Sequence, residues 1–239
     1  MKNRKFILIF VVAVLMVLIF AYKNRLDFMS KKTQIENMDD EEFASFIADY
    51  VNHSGKGFSS VQKELRALGV EIEKSSLLHQ ETDMDMYMYI FKRLAKPQYY
   101  LQTYLKFHKT PKNPGTYDFL SIEWNQDTAS HWTSTCSGEI DKHDSSYRGM
   151  IVYYVFDGFI KAGDSLYATV LVTPEKSGIL NFSSKYAHTF SVNSSDKAGD
   201  VAKFKGIKKS GTQNYTYEVV LSDSEEVIYL KQDMSVNVY

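Results

Sequence analysis

The stretch TDMDMYMYIFKRLA, Thr82 to Ala95, decides what kind of fold this chain has, because two periodicities fit it. Met84, Met86 and Met88 alternate with period two, as along one face of a strand. The length of the run and the good helix formers near its end instead match a helix that begins at Thr82-Asp83 and ends at Ala95, ahead of Pro97. A helix is the expected element. Its methionines read as gap-filling core side chains, with a soft-metal thioether site as the alternative. On that reading residues 38–96 form a helical region and residues 97–239 an antiparallel β-rich domain, a sandwich or an open barrel, within an α+β chain.

Downstream the texture is that of strands. QYYLQTYLKFHK places Tyr99, Leu101, Leu105 and Phe107 on one face, and the turn TPKNPG, Thr110 to Gly115, brings back TYDFLSIEWN as the second arm of a hairpin. Further strand-like runs start at Met150, Ser165, Ile179, Phe190, Val201, Tyr215 and Val227. Turn-rich breaks such as PEKSG, KKSGTQN and SDSEE separate them, a spacing that argues for an antiparallel sheet system and against a parallel α/β fold.

Upstream the pattern is helical. Asp39 followed by Glu42 resembles a capping box, and Phe43, Phe46, Ile47, Tyr50 and Val51 share one helical face. After a break from Asn52 to Gly57 a second helix starts at Ser59 or Ser60, buries Val61, Leu65 and Leu68, and stops at Gly69. Two such helices form an αα-hairpin, a packing element.

The first residues differ from the rest. Lys2, Arg4 and Lys5 precede FILIFVVAVLMVLIFAY, Phe6 to Tyr22, which carries no charge and approaches the length needed to cross a bilayer core of about 30 Å. Ile19-Phe20-Ala21 is a poor peptidase site, so an uncleaved transmembrane signal anchor over 6–22 is expected in preference to a cleaved signal. Residues 1–5 are then cytoplasmic and 23–37 a polar membrane-proximal stalk. Lys23, Arg25, Lys31 and Lys32 offset the N-terminal charges, but the leading cluster usually dominates, which places the C-terminal part outside the cytoplasm.

The 239 residues, 44% hydrophobic, 24% charged and 14% aromatic, suffice for one sizeable core or two small ones. Beyond Lys32 the chain carries 21 basic against 28 acidic residues, so it lacks the basic footprint that nucleic acid requires. Lys203, Lys205, Lys208 and Lys209 read as a soluble strand face. The single cysteine excludes an internal disulfide and fits a cell-surface protein of a Cys-poor type.

That cysteine lies in HWTSTCSGEIDKHD, His131 to Asp144. His131, Cys136 and His143, with Asp141 or Asp144, make a four-ligand set on paper, yet the H-x4-C-x6-H spacing is unlike that of structural zinc sites. A polar loop whose Asp, Ser and His residues cap turns is expected instead, with no metal and no cofactor. Among other carboxylate pairs, Asp83 with Asp85 reads as a helix start and Glu225 with Glu226 as a solvated turn. Nucleotide-binding, nucleophile-elbow, H-E-x-x-H and EF-hand signatures are missing from the sequence.

Thr133-Ser134-Thr135-Cys136 is similar to the end of the active-site strand of the sortases, whose usual pattern is TLxTC. Arg148 follows at a spacing near that of the family's catalytic arginine. The resemblance implies a cysteine-dependent surface transpeptidase with Cys136 as nucleophile and Arg148 beside it, and His108, nearer than His53 and His79 though in a hairpin, is the candidate for the family's upstream histidine. It covers about twenty residues. Ser134 stands where an apolar residue should pack, and the long tail after Cys136 departs from the family.

Tyr100 and Tyr104 fall on the polar face of their strand, and Trp124 and Trp132 flank a polar loop, so that these four could form a stacking surface for sugar or peptide; large aromatics in a β-protein are otherwise core. The leading reading is a non-enzymatic, membrane-anchored extracytoplasmic binding domain with a cell-envelope protein or cell-wall partner. The alternatives are the sortase-like enzyme and, by order of elements alone, an assembly subunit of a cell-envelope secretion or conjugation complex.

Overall fold

The computed structural model describes residues 2–53, 58–79, 84–111, 117–138, 140–191, 203–221 and 225–239. Three helices lead: α1 (Lys2–Asn37), α2 (Asp40–His53) and α3 (Phe58–Ala67). Twelve strands follow: β1 (Val70–His79), β2 (Met84–Arg93), β3 (Tyr99–Phe107), β4 (Asp118–Trp124), β5 (Ala129–Cys136), β6 (Ile140–Asp144), β7 (Met150–Val155), β8 (Ser165–Pro174), β9 (Gly178–Ser191), β10 (Lys203–Lys208), β11 (Tyr215–Val220) and β12 (Glu225–Val238).

The deciding stretch is a strand, not a helix. Residues 84–93 form β2, antiparallel to β1 from Val70↔Arg93 to His79↔Asp85. Met84, Met86, Met88 and Ile90 point into one core while Tyr89 and Phe91 point into another. Burial on both faces erases the polar half of the alternation that marks an ordinary strand, and the helix formers after Arg93 lie in the turn before Pro97. The expected cap at Thr82-Asp83 lies outside the described residues. The helical region therefore reduces to α2 and α3, and the element order behind the assembly-subunit analogy, two helices, a strand at Val70–Glu73, a third helix and then antiparallel strands, differs from the one observed, in which β2 follows β1 directly.

The strands form two five-stranded antiparallel sheets, β1-β2-β3-β8-β5 and β12-β9-β4-β7-β6, with β10-β11 as a separate hairpin. Leu101, Leu105, Val170 and Val172 of the first sheet pack against Leu120, Ile122, Tyr153, Leu180 and Phe182 of the second. This is a β-sandwich core, the architecture two half-apolar sheets reach by burying one face each. The expected hairpin of β3 with β4 does not form, because the chain crosses between them from one sheet to the other. The turn at Thr110–Gly115 falls largely on residues outside the description.

Each sheet is covered on its outer face as well. Phe43, Ile47, Val61 and Leu65 of α2 and α3 bury Phe91, Tyr100, Tyr104 and Leu171. On the other side Phe204 and Tyr217 of the β10-β11 hairpin cover Phe119, Met150, Val152 and Ala187. The capping box is present: the Glu42 N–H donates to Asp39 Oδ1 at 2.8 Å, and the Asp39 N–H to Glu42 Oε2 at 3.2 Å. Buried Arg93 joins helices to sheet, donating to the Met38 and Asp39 carbonyls at 2.7 Å each while its guanidinium lies 4.0 Å from the centre of the Phe43 ring.

The expected stalk, residues 23–37, is helical and continuous with the apolar run in α1. α1 buries Ile35 against α2 and its neighbours, whereas the large apolar side chains described before it, from Met16 to Met29, are exposed. Among the described residues no helix is long and apolar enough to cross a membrane. Most side chains of the 6–22 run lie outside the description.

Candidate functional site

The stretch expected to be a polar loop is two edge strands. β5 ends the first sheet, paired with β8, and β6 ends the second, paired with β7. They face each other on one side of the sandwich. The register of β5 shifts between His131↔Val172 and Thr133↔Leu171, so Trp132 is the extra residue of a β-bulge. Bulges disrupt the ladder and re-aim side chains, and Trp132 stands 62% exposed.

Beside the bulge lies a cleft of about 170 Å³ lined by Trp124, Gln126, His131, Tyr147 and Arg148 among others. Trp124 forms its floor: the indole is 4% exposed, donates from Nε1 to the Ala129 carbonyl at 3.0 Å and lies 5.9 Å from the His131 ring. Burial, followed by the nearby His143, holds the His131 imidazole below its ordinary pKa, opposed by a hydrogen bond to the Thr133 backbone. His131 is therefore mainly neutral at neutral pH. Arg148 reaches the cleft from the β6–β7 turn, where Asp144 Oδ1 accepts the Ser146 N–H at 2.8 Å.

The structure thus gathers Trp124, His131 and Arg148 at one cleft, with His143 near His131 and Trp132 exposed next to His131 in the bulge, and leaves Cys136 apart. A strand rises about 3.3 Å per residue, so the roughly five residues from His131 to Cys136 separate them by about 16 Å. Cys136 pairs with Ala168, which pairs with Thr103, in one row across β5, β8 and β3. His108 lies beyond the end of β3, two strands across and roughly five residues along from Cys136. It is more than 15 Å away by strand geometry and is paired instead with Asp85, Nε2 to Oδ2 at 3.0 Å. The sortase-like constellation of Cys136, Arg148 and His108 does not converge. Cys136 is half-buried against the sandwich core, and burial, then the charge of Glu41, pushes its thiol pKa up.

Accordingly Cys136 is expected to label slowly with iodoacetamide at neutral pH and faster only as the pH is raised, since the thiolate is the reactive form. Cys136→Ala is expected to cost about 1 kcal/mol for the small cavity and to leave binding intact. Rapid labelling at pH 7 together with lost function in a folded Cys136→Ala protein would reverse this assignment.

Metal ligation finds no support: among the described residues no three His, Cys, Asp or Glu side chains converge. The Asp141 side chain lies outside the description. The aromatic surface also dissolves. Tyr100 and Tyr104 do occupy the face opposite the core, but helices cover that face; the Tyr100 hydroxyl donates to Asp40 Oδ1 at 2.8 Å, and Tyr104 packs edge-on to Tyr87. Of the four aromatics only Trp132 meets solvent. Asp85, read as part of a helix start, is buried in β2 and accepts from the Tyr87 hydroxyl at 3.2 Å. Lys203, Lys205 and Lys208 are exposed on β10 as a solvated face, and Lys209 pairs with buried Glu123 at 2.6 Å.

Sequence reading missed a further buried carboxylate. Asp118, fully buried at the start of β4, faces His188 Nδ1 at 2.9 Å, accepts the Thr189 N–H at 2.7 Å and accepts the Tyr186 hydroxyl. Seventy positions separate Asp118 from His188, and no local motif links them.

No protein-family description matches the chain, and no curated protein matches it. Among solved structures it is similar to the seventh ScaB type I cohesin from Pseudobacteroides cellulosolvens, at 8% identity over 38% of this chain and 69% of that one, TM-score 0.30. It is also similar to a pore-forming protein, at 10% identity over 69% and 90%, TM-score 0.33. A structure concerning Streptococcus parasanguinis adhesion by Fap1 fimbriae matches at 10% identity over 65% and 86%, TM-score 0.29. Scores this low carry no argument about fold or function.

Proposed function

We propose that this chain is a single-pass membrane protein, anchored through residues 6–22, whose β-sandwich acts outside the cytoplasm as a binding domain for a cell-envelope partner and performs no covalent step. The observation that carries the anchor is α1 itself. Its apolar run has no polar face, and Met16, Ile19, Phe20 and Tyr22 are exposed without packing on the body. A helix hydrophobic all round needs an apolar environment, and a bilayer supplies one. Binding in place of catalysis is supported by the separation of Cys136 from Arg148 and His108 and by its raised thiol pKa.

Fractionation tests this. The full chain is expected in the membrane pellet after a high-salt wash, with the sandwich digested by protease added outside intact cells, and a chain lacking residues 2–22 is expected to leave the pellet. A processed form starting at Tyr22 and found in the medium would overturn the anchor, and protection of the sandwich in intact cells would overturn the orientation.

A further inference from the structure

We propose that the end of the sandwich carrying Phe58, Leu77 and Phe159 rests on the surface of the bilayer that anchors the chain, so that the opposite end, with Trp132 and the Arg148 cleft, points away from the membrane. This deepens the anchored reading and rests on it.

The direction of α1 decides which end that is. α2 runs from Asp40, which meets Arg93 and Tyr100, to Val51, which shares a cleft with Leu77 and Tyr87. Just past the end of α1 the Met38 carbonyl accepts from Arg93, while Lys31 of α1 lies 4.5 Å from the centre of the Tyr50 ring. The two helices are therefore antiparallel. Followed back towards its N-terminus, α1 leaves the body at the Leu77 end, and every residue from Ile19 to Ser30 is exposed.

The body ends close to the apolar run. Eight residues of helix from Ser30 back to Tyr22 span about 12 Å, against a headgroup layer of about 5–8 Å on each side of the hydrocarbon core. Exposed Leu26, Phe28 and Met29 stand along that stretch. A tilt of about 20° is ordinary for a spanning helix, and it lowers a body that lies to one side of α1 onto the headgroups.

Three large apolar side chains are exposed at this end. Phe58 and Leu77 line one cleft and are 40% and 45% exposed. Phe159 is 78% exposed on the connection from β7 to β8. That connection is tied to the same end, since the Gly163 N–H donates to the Phe107 carbonyl at 2.8 Å and the Phe107 N–H to the Asp164 carbonyl at 2.9 Å. Leu94 and Trp132 are equally exposed at the far end; what sets Phe58, Leu77 and Phe159 apart is their place beside the exit of α1.

Charge does not select the partner. Lys23, Arg25 and Lys161 stand against Asp27 and Asp164 here, and the sequence between β1 and β2 adds Glu81 and Asp83. The contact is therefore an apolar one, of the kind by which exposed aromatic and aliphatic side chains enter the boundary between headgroups and acyl chains. A second copy in the same bilayer would meet this chain side by side, not at the end that faces the membrane, so lipid is the occupant.

The test uses the full chain in phosphatidylcholine vesicles whose lipids are brominated near the headgroup end of their acyl chains. The native tryptophans serve as an internal control. His131, next to Trp132, pairs in the row of Val172 and Tyr99, five residues along β3 from the row of Leu77, Tyr87 and Tyr104, a separation of about 16 Å. The unaltered chain is expected to keep its emission. Phe58→Trp and Phe159→Trp are each expected to lose at least about half of the added emission to the brominated lipid, as for a side chain about 5–10 Å into the boundary, and Leu94→Trp to lose none. Adding phosphatidylglycerol is expected to change none of these results. Added tryptophans at 58 and 159 that bromine spares would overturn the proposal, as would quenching of the native pair or quenching confined to anionic vesicles. A blue shift at 58 that follows protein density without bromine quenching would assign the face to a second copy and overturn it too. Flotation with the vesicles tests the anchor itself, so a chain that floats with unquenched probes refutes this contact alone, and a chain that does not float refutes the anchor.

Discussion

Asp118→Ala is expected to lower the unfolding free energy by about 3–5 kcal/mol, the range seen when one partner of a buried charged network is removed. The carboxylate is fully buried and serves three groups at once: the Tyr186 hydroxyl, the Thr189 N–H and His188 Nδ1. Alanine removes the shared acceptor from all three in a region that also holds the apolar contact of Phe107 with Tyr186. Each buried hydrogen bond lost this way costs about 1–3 kcal/mol. Asp118→Asn keeps the shape and the acceptor for the Thr189 N–H, so it is expected to cost less, about 1–2 kcal/mol. Urea unfolding of the detergent-solubilised chain separates the two, and an alanine variant within about 0.5 kcal/mol of the parent, the usual scatter of surface changes, would mean that the network is not structural.

The same network illustrates what sequence could and could not convey. The inner face of β3 was legible: Tyr99, Leu101, Leu105 and Phe107 alternate, and all four lie in the sandwich core. Its outer face was not, because the cover arrives from far away in the chain, as when Asp40 of α2 meets Tyr100. A strand buried on both faces loses its polar half, which is why the run from Met84 looked helical.

Site residues failed for a related reason. Cys136, His131 and His143 are close in sequence, and in a loop they could have met. In strands the spacing is rigid, so proximity along β5 becomes about 16 Å of separation. Arg148 and His131 were legible as candidates, but not their meeting at one cleft, since it depends on β5 and β6 ending different sheets on the same side. Asp118 and His188 left no local trace at all.

Gly149→Ala is the second large effect expected, a loss of about 2–4 kcal/mol from a single methyl group. Gly149 sits at φ +66°, in the left-handed region, where a side chain costs about 1–2 kcal/mol. Its added Cβ would lie 2.5 Å from the Trp124 carbonyl oxygen and 2.9 Å from Asn214 Oδ1, and overpacking of that kind adds about 1–3 kcal/mol. Neither neighbour is free to retreat. The Trp124 N–H donates to the Gly149 carbonyl at 2.8 Å, and Asn214 Oδ1 accepts the Gln126 N–H at 3.2 Å. Gly163→Ala is the control, with φ +95° and nothing within 4 Å of its Cβ; it is expected to show the backbone strain alone, about 1–2 kcal/mol. Thermal melts compare the two, and equal losses would show that the contact with Trp124 is relieved without cost. The turn also carries Arg148, whose carbonyl accepts the Tyr215 N–H at 3.2 Å. A shift forced at Gly149 therefore moves the arginine against Trp124 and the cleft it lines, whereas Gly163→Ala leaves that cleft as it is.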